Sequence, residues 1–134
     1  MRRTWSKNSL KVHRTLHKNL KVLVTRIRDE VTDVSLIYGY RDRETQNTLF
    51  ENDRSTLRYP DSKHNRKPAL AVDLQPYPFP DYEPKLWGAL GYIAGHAFRI
   101  AEEEGFKIRW GGDWDRDGDM TDQNFDDLFH LELY

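Results

Sequence analysis

Ser62-Lys63-His64-Asn65-Arg66-Lys67-Pro68-Ala69-Leu70-Ala71-Val72-Asp73-Leu74 is the stretch whose reading decides the fold. Its first half is polar and closes on a proline, which reads as a loop, whereas small and apolar side chains alternate over residues 69–74 as in a strand. A second stretch, Asp127-Leu128-Phe129-His130-Leu131-Glu132, lies two residues before the end of the sequence. Residues 129–133 read as a terminal strand in which His130 and Glu132, two positions apart, share a face. Two histidines and one carboxylate are the smallest protein set that holds a catalytic zinc and leaves a position for water. Spacing alone does not separate that reading from structural or exposed histidines.

Working outward, residues 9–30 place Leu10, Leu16, Leu20, Leu23, Val24 and Ile27 near helical spacing, with Val31 just beyond and Lys and Arg between them. This predicts one basic amphipathic helix, capped by Ser9 and ended by Thr32 and Asp33. Residues 34–40 form a β-branched and aromatic strand running into Arg41, and residues 44–51 a second helix. Pro76, Pro78, Pro80 and Pro84 interrupt regular structure. A long core helix then spans residues 84–104, with Leu86, Leu90, Ile93, Ala97 and Ile100 on one face and Gly105 as its stop. A short strand at 106–110 and a Gly/Asp loop at 111–122 complete the chain. Short strands and helices without regular βαβ alternation predict an α+β domain.

The chain of 134 residues is 37% hydrophobic and 13% aromatic, enough for one core and too short for two domains. It has no cysteine, which excludes disulfides, thiolate metal sites and cysteine nucleophiles and leaves His and carboxylates as metal ligands. No long apolar run predicts a membrane span, and the N-terminus lacks the apolar stretch of a secretory signal, so the expectation is a soluble protein made in the cytoplasm. The net charge of −1 conceals an asymmetry: residues 1–28 carry nine Lys/Arg and no acid. Such a segment suits an anionic wall or nucleic acid, or is a solvated helix face. Aromatic or motif context for nucleic-acid binding is missing, so that partner is not expected.

Ser62-x-His64 followed by Ala71-x-Asp73 and a closing His130-x-Glu132 resembles the signature of the zinc D,D-carboxypeptidase and L-alanyl-D-glutamate peptidase family, which includes VanY-type enzymes and small phage endolysins. Upstream, Gly39-Tyr40-Arg41 followed by Gln46 is similar to the family's Gly-Tyr-Arg segment and later Gln. The resemblance covers residues 34–134 and implies a single compact domain of the zinc D-Ala-D-Ala-peptidase, Hedgehog-like fold, a small antiparallel sheet with flanking helices. Residues 1–31 would add the basic helix within the same domain. By the same resemblance the zinc ligands are His64, Asp73 and His130, and the catalytic carboxylate is Asp127, with Asp126 its nearest competitor. Arg41 would stabilise the oxyanion or bind substrate, against a purely structural ion pair with a loop acid; Glu132 would orient a histidine or face solvent. The segment from His64 to Asp73 departs from the family's His-x-x-Gly-x-Ala-x-Asp by two extra residues and no glycine.

The implied activity is hydrolysis of an amide bond in the peptidoglycan stem peptide. The short format resembles a phage endolysin, which points to the L-alanyl-D-glutamate bond. It also implies a monomer that waits in the infected cytoplasm until the membrane is breached and then lyses the host. Cleavage of terminal D-alanines, and a non-catalytic metal-stabilised wall-binding module, are the alternatives. A second metal pattern lies at Asp113, Asp115, Asp117 and Asp119, alternate carboxylates turning at Gly118 as in the first half of a calcium loop. Asn124 stands where such a loop places its bidentate Glu, and an acidic turn without metal fits the same residues. Tyr77, Phe79, Tyr82, Trp87, Trp110 and Trp114 flank these motifs as core or groove residues.

Overall fold

Helical periodicity carries the first 30 residues, but as two helices rather than the one expected. The structure is a computed structural model that describes residues 4–123 and 126–134. Helix α1 (Lys7–Arg14) starts at Ser6, whose side chain accepts a hydrogen bond from the Ser9 amide. Ser9 is therefore inside the helix, not its cap; it is buried, and its hydroxyl accepts from the Leu36 amide at 3.0 Å. The chain leaves the helix at residues 15–17 because Leu16 bridges to Ala69. There the Ala69 amide donates to Thr15 and the His17 amide donates to Ala69, both at 2.9 Å. Helix α2 (Lys18–Glu30) then begins with the His17 ring accepting from the Asn19 amide. The long excursion between His64 and Asp73 thus has a seat, the gap between two helices.

Four strands, β1 (Val34–Tyr38), β2 (Ala71–Pro76), β3 (Ile108–Gly111) and β4 (Asp127–Leu133), form an antiparallel sheet in the order β1-β2-β4-β3. Strand β2 starts two residues later than expected and continues through Pro76, and β4 starts at Asp127, two residues earlier than expected, so that this residue lies within the strand. Alternation sends Val72, Leu74, Ile108, Trp110 and Leu131 into one core with Leu20, Leu23 and Ile27 of α2. Helix α4 (Glu83–Glu104) adds Ile93, Ala97 and Ile100 to that core and stops at Gly105, which has φ 84°. Each fully buried Val, Leu or Ile among these contributes about 1.5–3 kcal/mol of apolar burial. Helix α3 (Arg43–Glu51), capped by Asp42, follows β1. The molecule is a single α+β domain, and its sheet turns Asp73, Arg109, His130 and Glu132 away from the helical core.

Candidate metal centre

Strand register brings the distant residues together. Asp73 of β2 lies directly opposite His130 of β4, and Glu132 of β4 lies opposite Arg109 of β3. His64 comes from outside the sheet, on a short 3-10 turn (Lys63–Asn65) capped by Ser62. That turn is clamped by the segment after β1: the His64 ring Nδ1 donates to Gly39 O at 2.7 Å, and the Arg41 amide donates to His64 O at 2.7 Å. Asn65 Nδ2 donates to Arg41 O at 3.0 Å. Gly39 is required by close approach, since a Cβ there would strike Thr15 Oγ1 and sit 2.9 Å from Leu16 Cδ2.

Three ligand atoms converge. His64 Nε2 is 3.3 Å from His130 Nδ1 and 3.3 Å from Asp73 Oδ1, and His130 Nδ1 is 3.1 Å from Asp73 Oδ1. A tetrahedral ion with ligand bonds of roughly 2.0–2.1 Å sets its ligands about 3.3 Å apart, so the spacing fits zinc. The outer atoms of each group fix its orientation. His64 uses Nδ1–H on a backbone carbonyl, and His130 uses Nε2–H on Glu132 Oε1 at 2.8 Å. Asp73 accepts from Arg41 through Oδ2 at 2.7 Å, which leaves Oδ1 for the centre. Two imidazole lone pairs and a carboxylate oxygen therefore face one another, an arrangement only a cation or a shared proton can hold.

Titration follows from this geometry. Burial lowers the His64 pKa, only partly opposed by the charge of Asp73. For His130 burial also acts downward, but hydrogen bonds to Asp73 and Glu132 outweigh it and raise the imidazole to about 9. Burial would raise Asp73, yet His64 and His130 hold it well below the carboxylate range. Glu132 drops to about 2, its desolvation overcome by His130, Arg109 and Lys63. In the metal-free protein the proton on His130 is thus the cation of the cluster.

Asp127 stands 3.9 Å from His130 Nδ1, and burial together with the charge of Asp73 pushes it up to about 6. In a regular strand residues three apart face opposite ways; the register shift between Trp110 and Gly111, opposite this part of β4, brings Asp127 and His130 to one cleft. Gly111 makes room, because a Cβ there would overlap the Asp127 carbonyl oxygen. Asp126 is exposed and does not line the cleft with His64 and His130. That cleft, about 260 Å³, and a second of about 430 Å³ share Arg41, Arg54 and Asp127. Arg41 is itself buried in its ion pair with Asp73 and stacks 4.3 Å over Tyr38. Its bond is to the candidate metal-ligand aspartate rather than to a loop acid.

Glu132 is buried and oriented by Arg109 at 2.9 Å and Lys63 at 3.3 Å, so it faces His130 and not solvent. Arg109 escaped the sequence reading, although alternation in Ile108-Arg109-Trp110 already places it on the face opposite the core. Trp114 lies against the His130 ring at 5.2 Å, and Trp110 is in the core, while Tyr77, Phe79, Tyr82 and Trp87 are exposed. In the acidic loop, oxygens of Asp113, Asp115 and Asp117 lie within 4.8 Å of one another. Asp119 is not among them; its carboxylate accepts from Thr121 at 2.8 and 2.6 Å. Asn124 lies outside the described residues.

Comparison with known proteins agrees with the geometry. The fold is similar to the crystal structure of the Serratia marcescens L-Ala D-Glu endopeptidase ChiX, with a TM-score of 0.73 and 22% sequence identity over 99% of this chain and 91% of that one. No curated protein matches the chain significantly. The family model described as phage L-alanyl-D-glutamate peptidase matches residues 1–134, and the chain belongs to that family.

Proposed function

We propose that the chain is a zinc-dependent endopeptidase that cuts the L-alanyl-D-glutamate bond of peptidoglycan stem peptides and so lyses the phage's host. Family membership supplies the reaction class, and the mutual 3.1–3.3 Å convergence of His64 Nε2, Asp73 Oδ1 and His130 Nδ1 carries the metal. Zinc held by these three would supply Lewis acidity toward the scissile carbonyl and acidify water near neutral pH. Asp127, with a pKa near 6 beside the triad, accepts a proton from the attacking water and returns it to the leaving amine. Arg41 holds Asp73 in place and, because it lines both clefts, offers positive charge to the developing oxyanion. Glu132 fixes the His130 tautomer.

No described helix is long and apolar enough to cross a membrane. Our reading is that the protein reaches the wall after the membrane is breached, and that its basic N-terminal helices hold it there. Calcium is the ion whose all-oxygen preference suits Asp113, Asp115 and Asp117; it would order the loop and take no part in the reaction. The test is release of amino groups from purified peptidoglycan. Activity should vanish with chelator, return with zinc, and fall by roughly 10²–10⁴-fold in Asp127→Ala with zinc still bound. Metal-loaded protein that binds walls of several chemotypes but releases nothing would replace the peptidase with a binding module.

A further inference from the structure

The reaction leaves one charge of the substrate unanswered. A D-glutamate joined through its amino group, and continuing the stem through its γ-carboxyl, presents its α-carboxylate with the carboxyl carbon two bonds from the scissile nitrogen. Four Arg and Lys side chains line the two clefts that meet at Asp127. Three are engaged: Arg41 by Asp73, and Arg109 and Lys63 by Glu132. Arg54 is the fourth, and among the described residues it has no acidic partner. It lines both clefts.

Its position is held from both sides although its side chain is free. Asp53 turns the chain in the left-handed region at φ 58°, and the Arg54 amide donates back to Leu49 O at 2.8 Å. On the other side, the fully buried Gln46 donates through Nε2 to Ser55 Oγ at 2.9 Å and to Leu57 O at 2.7 Å. Arg41 Nη1 approaches the Oε1 of the same Gln46 at 3.4 Å. The loop that presents Arg54 is therefore pinned to the framework that holds the triad.

We propose that Arg54 binds the free α-carboxylate of the D-glutamate residue on the leaving side of the scissile bond and makes the enzyme selective for stems in which that carboxylate is not amidated. A guanidinium fork matches a carboxylate in plane and charge, and a carboxamide offers one acceptor and no charge. The inference rests on the peptidase reading above.

The test uses two synthetic peptides, N-acetyl-L-alanyl-γ-D-glutamyl-L-lysine and its α-carboxamide counterpart, with zinc-loaded wild type, Arg54→Gln and Arg54→Lys. Wild type should prefer the carboxylate peptide. Arg54→Gln should raise KM for that peptide by roughly ten- to a hundredfold, the range for a hydrogen bond to a charged group, with a smaller change in kcat. It should also erase the preference, and Arg54→Lys should recover part of it. Equal cleavage of both peptides by wild type, or an Arg54→Gln enzyme that keeps the wild-type preference, overturns the role of Arg54 and leaves the peptidase standing. If wild type cleaves neither peptide, the L-alanyl-D-glutamate assignment itself fails, and the Arg54 role with it.

Discussion

His130 shows how strongly a single residue is tuned by what lies on either side of it. Glu132 accepts from Nε2 while Nδ1 turns toward Asp73, and these contacts raise the metal-free imidazole to about 9. A metal needs the Nδ1 lone pair, so below that pH each binding event must release one proton. Zinc affinity should therefore rise about tenfold per pH unit between 6 and 8, with proton uptake by buffer measurable calorimetrically. Affinity independent of pH over that window would contradict the assignment. The same proton stabilises the metal-free fold: its contribution is full below the unfolded histidine pKa of about 6.5 and is lost as pH rises through about 9. The family resemblance singled out His64, Asp73 and His130 as a candidate ligand set, where residue types showed only that zinc chemistry was open to the chain, and the i, i+2 rule showed that Glu132 shares a face with His130. Nothing local announces that Arg41 pairs with Asp73, because 32 residues separate them.

At the scale of elements, the loops and caps were less legible than the strands and the long helix. Leu16 fits the helical period of its neighbours, so the break between α1 and α2 has no local signature; its cause is Ala69, which inserts its backbone from the far side of the sequence. The bulge opposite Gly111 was equally hidden, and it is what moves Asp127 to the His130 side. The segment Gly39-Tyr40-Arg41 is the hinge of this arrangement, receiving Thr15 and Leu16 on one side and His64 on the other. Gly39→Ala should cost about 1–3 kcal/mol by forcing these elements apart, read as a lower urea midpoint at unchanged m-value, and should weaken zinc binding as His64 loses its carbonyl partner. A variant with wild-type stability and zinc affinity would show that the close approach is not needed.

For the whole molecule, basic side chains gather on the N-terminal helices. Lys7, Lys11 and Arg14 repeat at helical spacing on α1, Lys18 and Lys21 continue on α2, and none of the five has an ion-pair partner among the described residues. The Leu16–Ala69 bridge brings exposed Arg66 and Lys67 to the same region. Wall binding should accordingly weaken as salt rises from about 0.05 to 0.5 M, where screening shortens from over 10 Å to a few ångströms. Cosedimentation with purified walls measures it, and salt-insensitive binding would remove the basic face from the account. The sheet, the clamp behind β1 and the paired outer atoms all converge on one point between His64, Asp73 and His130. The most direct test is therefore a crystal structure of the zinc-loaded protein with anomalous scattering at the zinc edge. We predict one peak within roughly 2.0–2.2 Å of His64 Nε2, Asp73 Oδ1 and His130 Nδ1, with no fourth protein ligand. A peak confined to Asp113, Asp115 and Asp117, or a fourth side chain closing the coordination, would contradict a catalytic zinc at this centre.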